Sequence, residues 1–161
     1  MFKKRVLIPI DNSGFSQQIL PIVQKHFDPP QTELLLLHVE ADQEALHIQR
    51  TGIEPLDIFK DQAEYSLRSQ FADSMRQTVQ QLKAAGFQVE TDVAFGKPAP
   101  AIEARIARDP FDLIAMATHG RTGLERMLQG SVAEQIMHHV TIPVLLFQAT
   151  DDGQRNDPRN N

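Results

Sequence analysis

Leu34-Leu35-Leu36-Leu37 is the feature that most narrows what this chain can fold into, because it is apolar at every position for the length of a short strand. A strand with one wet face alternates apolar and polar residues, so an unbroken run has both faces covered and belongs inside a parallel sheet. Four more short apolar runs accompany it, and together they place strands at 6–10, 33–39, 87–93, 112–117 and 143–147. Helical periodicity fills the gaps between them. Strands alternating with helices form an α/β layered fold, and right-handed crossovers put helices on both faces of the sheet.

The helical stripes are read as core. Leu67, Phe71, Met75, Val79 and Leu82 recur at steps of four or three, predicting one long amphipathic helix that ends at Gly86. Ile19, Val23 and Phe27 form a similar stripe, but Pro21 lacks an N–H, so that helix starts late or kinks. Pro98 and Pro100 lead into Ile102 and Ile106, a proline-led start for a third helix. Between Glu40 and about Asp61 the period is lost, and a long mobile connection is expected. Residues 149–161 carry no large apolar side chain and are read as a disordered polar tail after a single domain spanning 1–148.

Composition excludes several function classes. With 161 residues, 41% hydrophobic and 23% charged, the chain has the make-up of one soluble globular domain. Its net charge of −5 supplies no basic surface for nucleic acid. The absence of cysteine removes disulfides, thiolate metal sites and cysteine nucleophiles. Residues 1–6 are basic, but the apolar run that follows is broken by Pro9, Asp11 and Asn12, so no signal segment is read and cytoplasmic residence is expected. No apolar stretch reaches the roughly 18 to 20 residues needed to span a bilayer. His119 and the pair His138-His139 lack a spacing that gathers three metal ligands, and no metal site is assigned.

Two segments carry the chemistry. After the fourth strand, Ala117-Thr118-His119-Gly120 is followed nine residues later by Gly130-Ser131, and Ser131-Val132-Ala133-Glu134 has capping-box spacing before the apolar residues Val132, Ile136 and Met137. Glycines at both ends of a strand-to-helix loop let backbone N–H groups approach an anion at a helix N-terminus. In the plainer reading Gly120 is a strand-exit turn, Ser131 only caps its helix, and Arg121 is a solvated cation. The second segment is Val6-Leu7-Ile8-Pro9-Ile10-Asp11-Asn12-Ser13, which sets a carboxylate at the carboxyl edge of the sheet, where open α/β folds bind ligands. Residue preference alone has Asp11 capping the next turn. A strand order of 3-2-1-4-5 would set the first and fourth strands side by side and bring both segments together.

These residues resemble the ATP-binding branch of the universal stress protein family, whose loop motif is G-x-x-G, nine residues, then G-[ST]. The chain matches it at Gly120, Gly130 and Ser131 and departs at Ala117, where the family has glycine near the ribose. The first strand with Pro9, Ile10 and Asp11, the second strand's end at Leu37-His38-Val39, Gly96, and Ile142-Pro143-Val144 fall in the family's order. The resemblance implies a Rossmann-like fold of the adenine nucleotide alpha hydrolase kind. Pro9, Ile10, Asp11 and Val39 would line the nucleoside pocket and Ala117 the sugar. Gly120, Arg121, Gly130, Ser131 and Val132 would surround the phosphates of ATP, with Mg²⁺ accompanying it. It also implies a homodimer through the last strand, Pro143-Val144-Leu145-Leu146-Phe147, which would otherwise expose an apolar pairing edge. The function so implied is a nucleotide-dependent regulatory module of the stress response, acting on a protein partner not identified by the sequence.

Competing readings leave clearer signatures than this chain carries. A weak ATPase or a phosphoryl or nucleotidyl transferase needs a residue positioning water and a carboxylate-held Mg²⁺, and Asp11 is committed to the nucleoside end, so no catalytic residue is assigned. A phospho-acceptor domain needs an acidic cluster and a lysine on the last strand, and neither is present. No G-x-x-x-x-G-K-[ST] and no G-x-G-x-x-G after the first strand occurs, which sets aside P-loop and dinucleotide chemistry.

Overall fold

A computed structural model describes residues 3–11, 13–42, 48, 50–52, 57–119 and 132–149. Strand β1 (Lys4–Pro9) leads through a 3-10 turn (Ser16–Ile19) into helix α1 (Leu20–His26) and strand β2 (Thr32–Glu40). Helices α2 (Asp57–Ser74) and α3 (Arg76–Ala84) precede β3 (Gln88–Phe95). Helix α4 (Pro98–Arg108), β4 (Leu113–His119), α5 (Val132–His139) and β5 (Val144–Ala149) complete the order. All five strands are parallel, in the expected order β3-β2-β1-β4-β5.

The leucine run behaves as its composition requires. Leu34 and Leu36 enter a core formed with α1, α2 and α3 through Val23, Phe71, Met75 and Leu82. Leu35 and Leu37 enter a second core on the opposite face, built with Ala99 and Ile102 of α4 and Ala133 and Ile136 of α5. Leu36 and Leu37 are both fully buried, so each successive residue contributes to a different layer.

Local chemistry explains the element ends. Pro21 sits in the first turn of α1, and the preceding 3-10 turn carries Ile19 into the core, so the helix starts late. Pro98 opens α4 in the same manner. Gly86 terminates α3 at φ 98°, a backbone angle that a Cβ disfavours, and a Cβ there would stand 3.2 Å from that of Pro29. Gly96 leaves β3 at φ 121° and donates its N–H to the Glu40 carbonyl at 2.9 Å.

Several expectations are corrected. The stripe through Phe71, Met75 and Leu82 is buried, but it spans two helices, with the chain turning at Met75. Spacing alone misses that break because the same face stays inward across it. The region 40–61 is shorter as a connection than expected, since α2 begins at Asp57 and Ile48, Arg50 and Thr51 are helical. Met137 is 50% exposed, and α5 buries Ala133 and Ile136 instead. Strand β5 starts one residue after Pro143 and reaches Ala149, which is buried and pairs with His119, so the domain extends past residue 148. The remainder of the tail, 150–161, lies outside the described residues.

Candidate nucleotide-binding site

The strand order reverses between β1 and β4, and there the ladder is short. Lys4 to Pro9 pair in register with Thr32 to Leu37 of β2, whereas β4 is met only at Val6–Leu113 and Leu7–Ile114. Pro9 supplies a reason. The Ile10 N–H bonds the Leu37 carbonyl at 2.8 Å, so the preceding peptide nitrogen faces β4, and in proline that nitrogen carries no hydrogen. Beyond Ile8 the two strands part, and a cleft opens at their carboxyl ends, the usual ligand position in such sheets.

A cavity of 270 Å³ occupies this cleft. Pro9, Ile10, Asp11, Val39, Ala117 and Val132 all line it, so six of the residues singled out from the sequence converge on one space. Gly120, Arg121, Gly130 and Ser131 lie outside the described residues. Val132 is the first described residue of α5, and the capping-box expectation at Ser131 falls outside the described residues. The sequence reading did not assign Phe15, Ser16, His38, Pro98, Ile102 or Met116 to the site, yet they complete the walls. For Ile102 the only sequence signal was a helical stripe, which reads as core. Ser16 was findable in principle, five residues after Asp11 in the same turn.

Asp11 has two differently engaged oxygens. Its Oδ1 accepts from the Ser13 N–H at 2.9 Å, from the Ser13 hydroxyl, and from the Ser16 hydroxyl at 2.7 Å, while the Asp11 N–H donates to Ser16 Oγ at 3.0 Å. Oδ1 therefore caps the turn, as residue preference alone expects. Oδ2 has no hydrogen-bond partner among the described residues and remains available to a donor in the cavity. Burial acts to raise the Asp11 carboxyl, but the hydrogen bonds from Ser13 and Ser16, helped by His38, outweigh it and hold the group below its ordinary value. The carboxylate is kept ionised as an acceptor.

His38 forms the wall on the β2 side. It is 9% exposed, with Nδ1 3.0 Å from the Ile10 carbonyl and Nε2 3.2 Å from Glu40 Oε2, and its ring stacks on Phe71 with centroids 5.1 Å apart. Of the other histidines, His139 bonds Glu103 at 2.8 Å and ties α5 to α4. Among the described residues no three His, Cys, Asp or Glu side chains gather as a metal site, and no helix is long and apolar enough to cross a membrane.

Comparison with known proteins agrees with this architecture. A family profile described as the universal stress protein family matches residues 3–148. Universal stress protein MJ0577 of Methanocaldococcus jannaschii is 28% identical over 154 residues, covering 90% of this chain and 94% of that protein. Its solved structure superposes with a TM-score of 0.71 at 25% identity, over 94% of this chain and 99% of that one. Universal stress protein YxiE of Bacillus subtilis is 29% identical over 149 residues, covering 92% and 100% of the two chains. A universal stress protein solved in complex with cAMP shares the fold at 16% identity and a TM-score of 0.63, over 93% of this chain and 100% of that one.

Proposed function

The chain belongs to the universal stress protein family, and from that premise we propose that it is an ATP-binding regulatory module of the stress response. The observation that carries this reading is the cavity at the β1–β4 parting, lined by an ionised acceptor, Asp11, together with apolar side chains. At 270 Å³ it lies near the roughly 300 Å³ lower bound for small-molecule sites, a size suited to a nucleoside whose phosphates extend out of it. Val39, Ala117 and Val132, half-buried where they line the cavity, offer the apolar surface that a purine ring needs. Asp11 Oδ2 offers an acceptor for sugar hydroxyls. The cAMP held by a protein of the same fold supports an adenine nucleotide as the ligand class.

In this reading Val39 meets the adenine through its backbone, Ala117 stands at the ribose, and Gly120, Arg121, Gly130, Ser131 and Val132 receive the phosphates with Mg²⁺. Bound ATP supplies charge and hydrogen-bonding groups that tie the loop to the sheet edge, and the loaded state is what a partner protein reads. The module works as a homodimer through β5. That edge strand presents the half-buried Val144, Leu145, Leu146 and Phe147, whereas the opposite edge, β3, carries Glu90 and Asp92, the latter paired with Arg68.

The module is not an enzyme in this reading. Asp11 is the one carboxylate lining the cavity among the described residues, and its geometry serves hydroxyl recognition rather than a water beside a terminal phosphate. Titration calorimetry with ATP and Mg²⁺ is expected to show binding by the wild type and none by Gly130→Val, with unchanged circular dichroism. Equal binding by both removes the loop from the site. Phosphate release should not exceed that of Gly130→Val in a steady-state assay.

A further inference from the structure

His38 faces two acceptors that cannot donate, the Ile10 carbonyl and the Glu40 carboxylate. A neutral imidazole has a single N–H, so it satisfies one of them and turns a lone pair toward the other. With the proton on Nδ1, the lone pair of Nε2 confronts Glu40. With it on Nε2, the Ile10 carbonyl loses its donor. The imidazolium alone donates to both, and Ile10 is the residue that delivers Asp11 to the cavity.

We propose that His38 is a proton-linked positioning residue of the nucleotide pocket, fastening the Ile10–Asp11 exit of β1 when it is charged and so tightening ATP on acidification. The inference rests on the ATP reading above and names the regulation of that site. The charged groups around the ring are few. Asp11 comes from the β1 exit and Glu40 from β2 itself. On α2, Arg68, three residues before Phe71, is engaged by Glu64 and Asp92. The β3 neighbour in register is the uncharged Val93. Asp11 stays ionised across the range in which histidines titrate, so the added positive charge faces a carboxylate and an anionic ligand, and both effects favour binding at low pH.

The discriminating variant is Glu40→Gln. Glu40 is partly exposed at the end of its strand, and glutamine both replaces the carboxylate and donates to the Nε2 lone pair, so neutral His38 keeps Nδ1–H on Ile10. ATP affinity is measured for wild type and variant between pH 8 and pH 5.5; the titration of the ligand's own phosphates is common to both and cancels in their ratio. Because the variant holds Ile10 at every pH, the expected result is tighter binding by Glu40→Gln at pH 8, by about fivefold, the lower end of usual coupling between sites, with the two affinities converging at pH 5.5, where the wild-type imidazolium donates to both acceptors. Calorimetry in buffers of different ionisation enthalpy should show proton uptake on binding that is larger in the wild type. Parallel pH profiles, or loss of binding by Glu40→Gln at pH 8, overturn the role of His38 and leave the ATP reading standing. No ATP binding by either protein at any pH sinks the ATP reading, and this inference with it.

Discussion

Truncating Ile102 to alanine probes the cavity beside it, because a void already present changes the penalty for making another. Ile102 is 1% exposed, packs in the core on the α4–α5 face and lines the cavity. Ile102→Ala removes three carbons, which at about 0.8 kcal/mol each gives a transfer loss of about 2.4 kcal/mol. A sealed site adds a cavity penalty of about 1 to 2 kcal/mol on top, reaching the upper half of the range measured for leucine truncations. At Ile102 the new space merges with the 270 Å³ cavity at the sheet edge, where water enters, so most of that extra penalty disappears. Leu36 provides the control. It is fully buried in the opposite core and does not line the cavity. Leu36→Ala loses the same number of carbons and is expected to destabilise by about 4 kcal/mol, against about 2 to 2.5 kcal/mol for Ile102→Ala. Equilibrium urea unfolding measures both, with unchanged m-values showing that the midpoint shift is stability alone. Equal losses in the two variants, or a larger one at Ile102, would refute the placement of the cavity.

Two further outcomes follow from the site and the sheet edge. The Asp11 carboxyl is held below its ordinary value of 3.8, so the stability it contributes is fully present above that value and is lost as pH falls through the lower folded-state value. Ser16→Ala removes one of its donors, so acid unfolding should begin at higher pH, and the stability gap to wild type should be constant above about pH 5 and narrow as pH falls below 3.8, leaving the pH-independent part that comes from the lost Asp11 N–H bond; a gap that does not narrow in acid contradicts the charge-assisted role given to the Ser16 hydroxyl. Light scattering at micromolar concentration should return twice the 18.1 kDa chain mass, and a monomer would contradict association through β5.

The sequence by itself determined the layers. Leu34 to Leu37 have to be covered on both faces wherever they lie in the chain, and the spacing of Phe71, Met75 and Leu82 has to turn one helical face inward, because burial follows the local backbone period. Pro21, Pro98 and Gly86 likewise announce their element boundaries through covalent geometry alone. Asp11 was readable as a carboxylate at a strand end, but which of its oxygens caps the turn and which is left over depends on where Ser13 and Ser16 come to rest. Only the tertiary structure decided the composition of the pocket. Ile10, His38, Ile102 and Met116 come from four segments that no period links, and they meet because β1 and β4 are neighbours that part after two paired residues. The same holds for the break at Met75, whose side chain stays in the core while the backbone turns. A side chain's face is a local property of its strand or helix, whereas the partners it finds there are chosen by the packing of elements far apart in the chain.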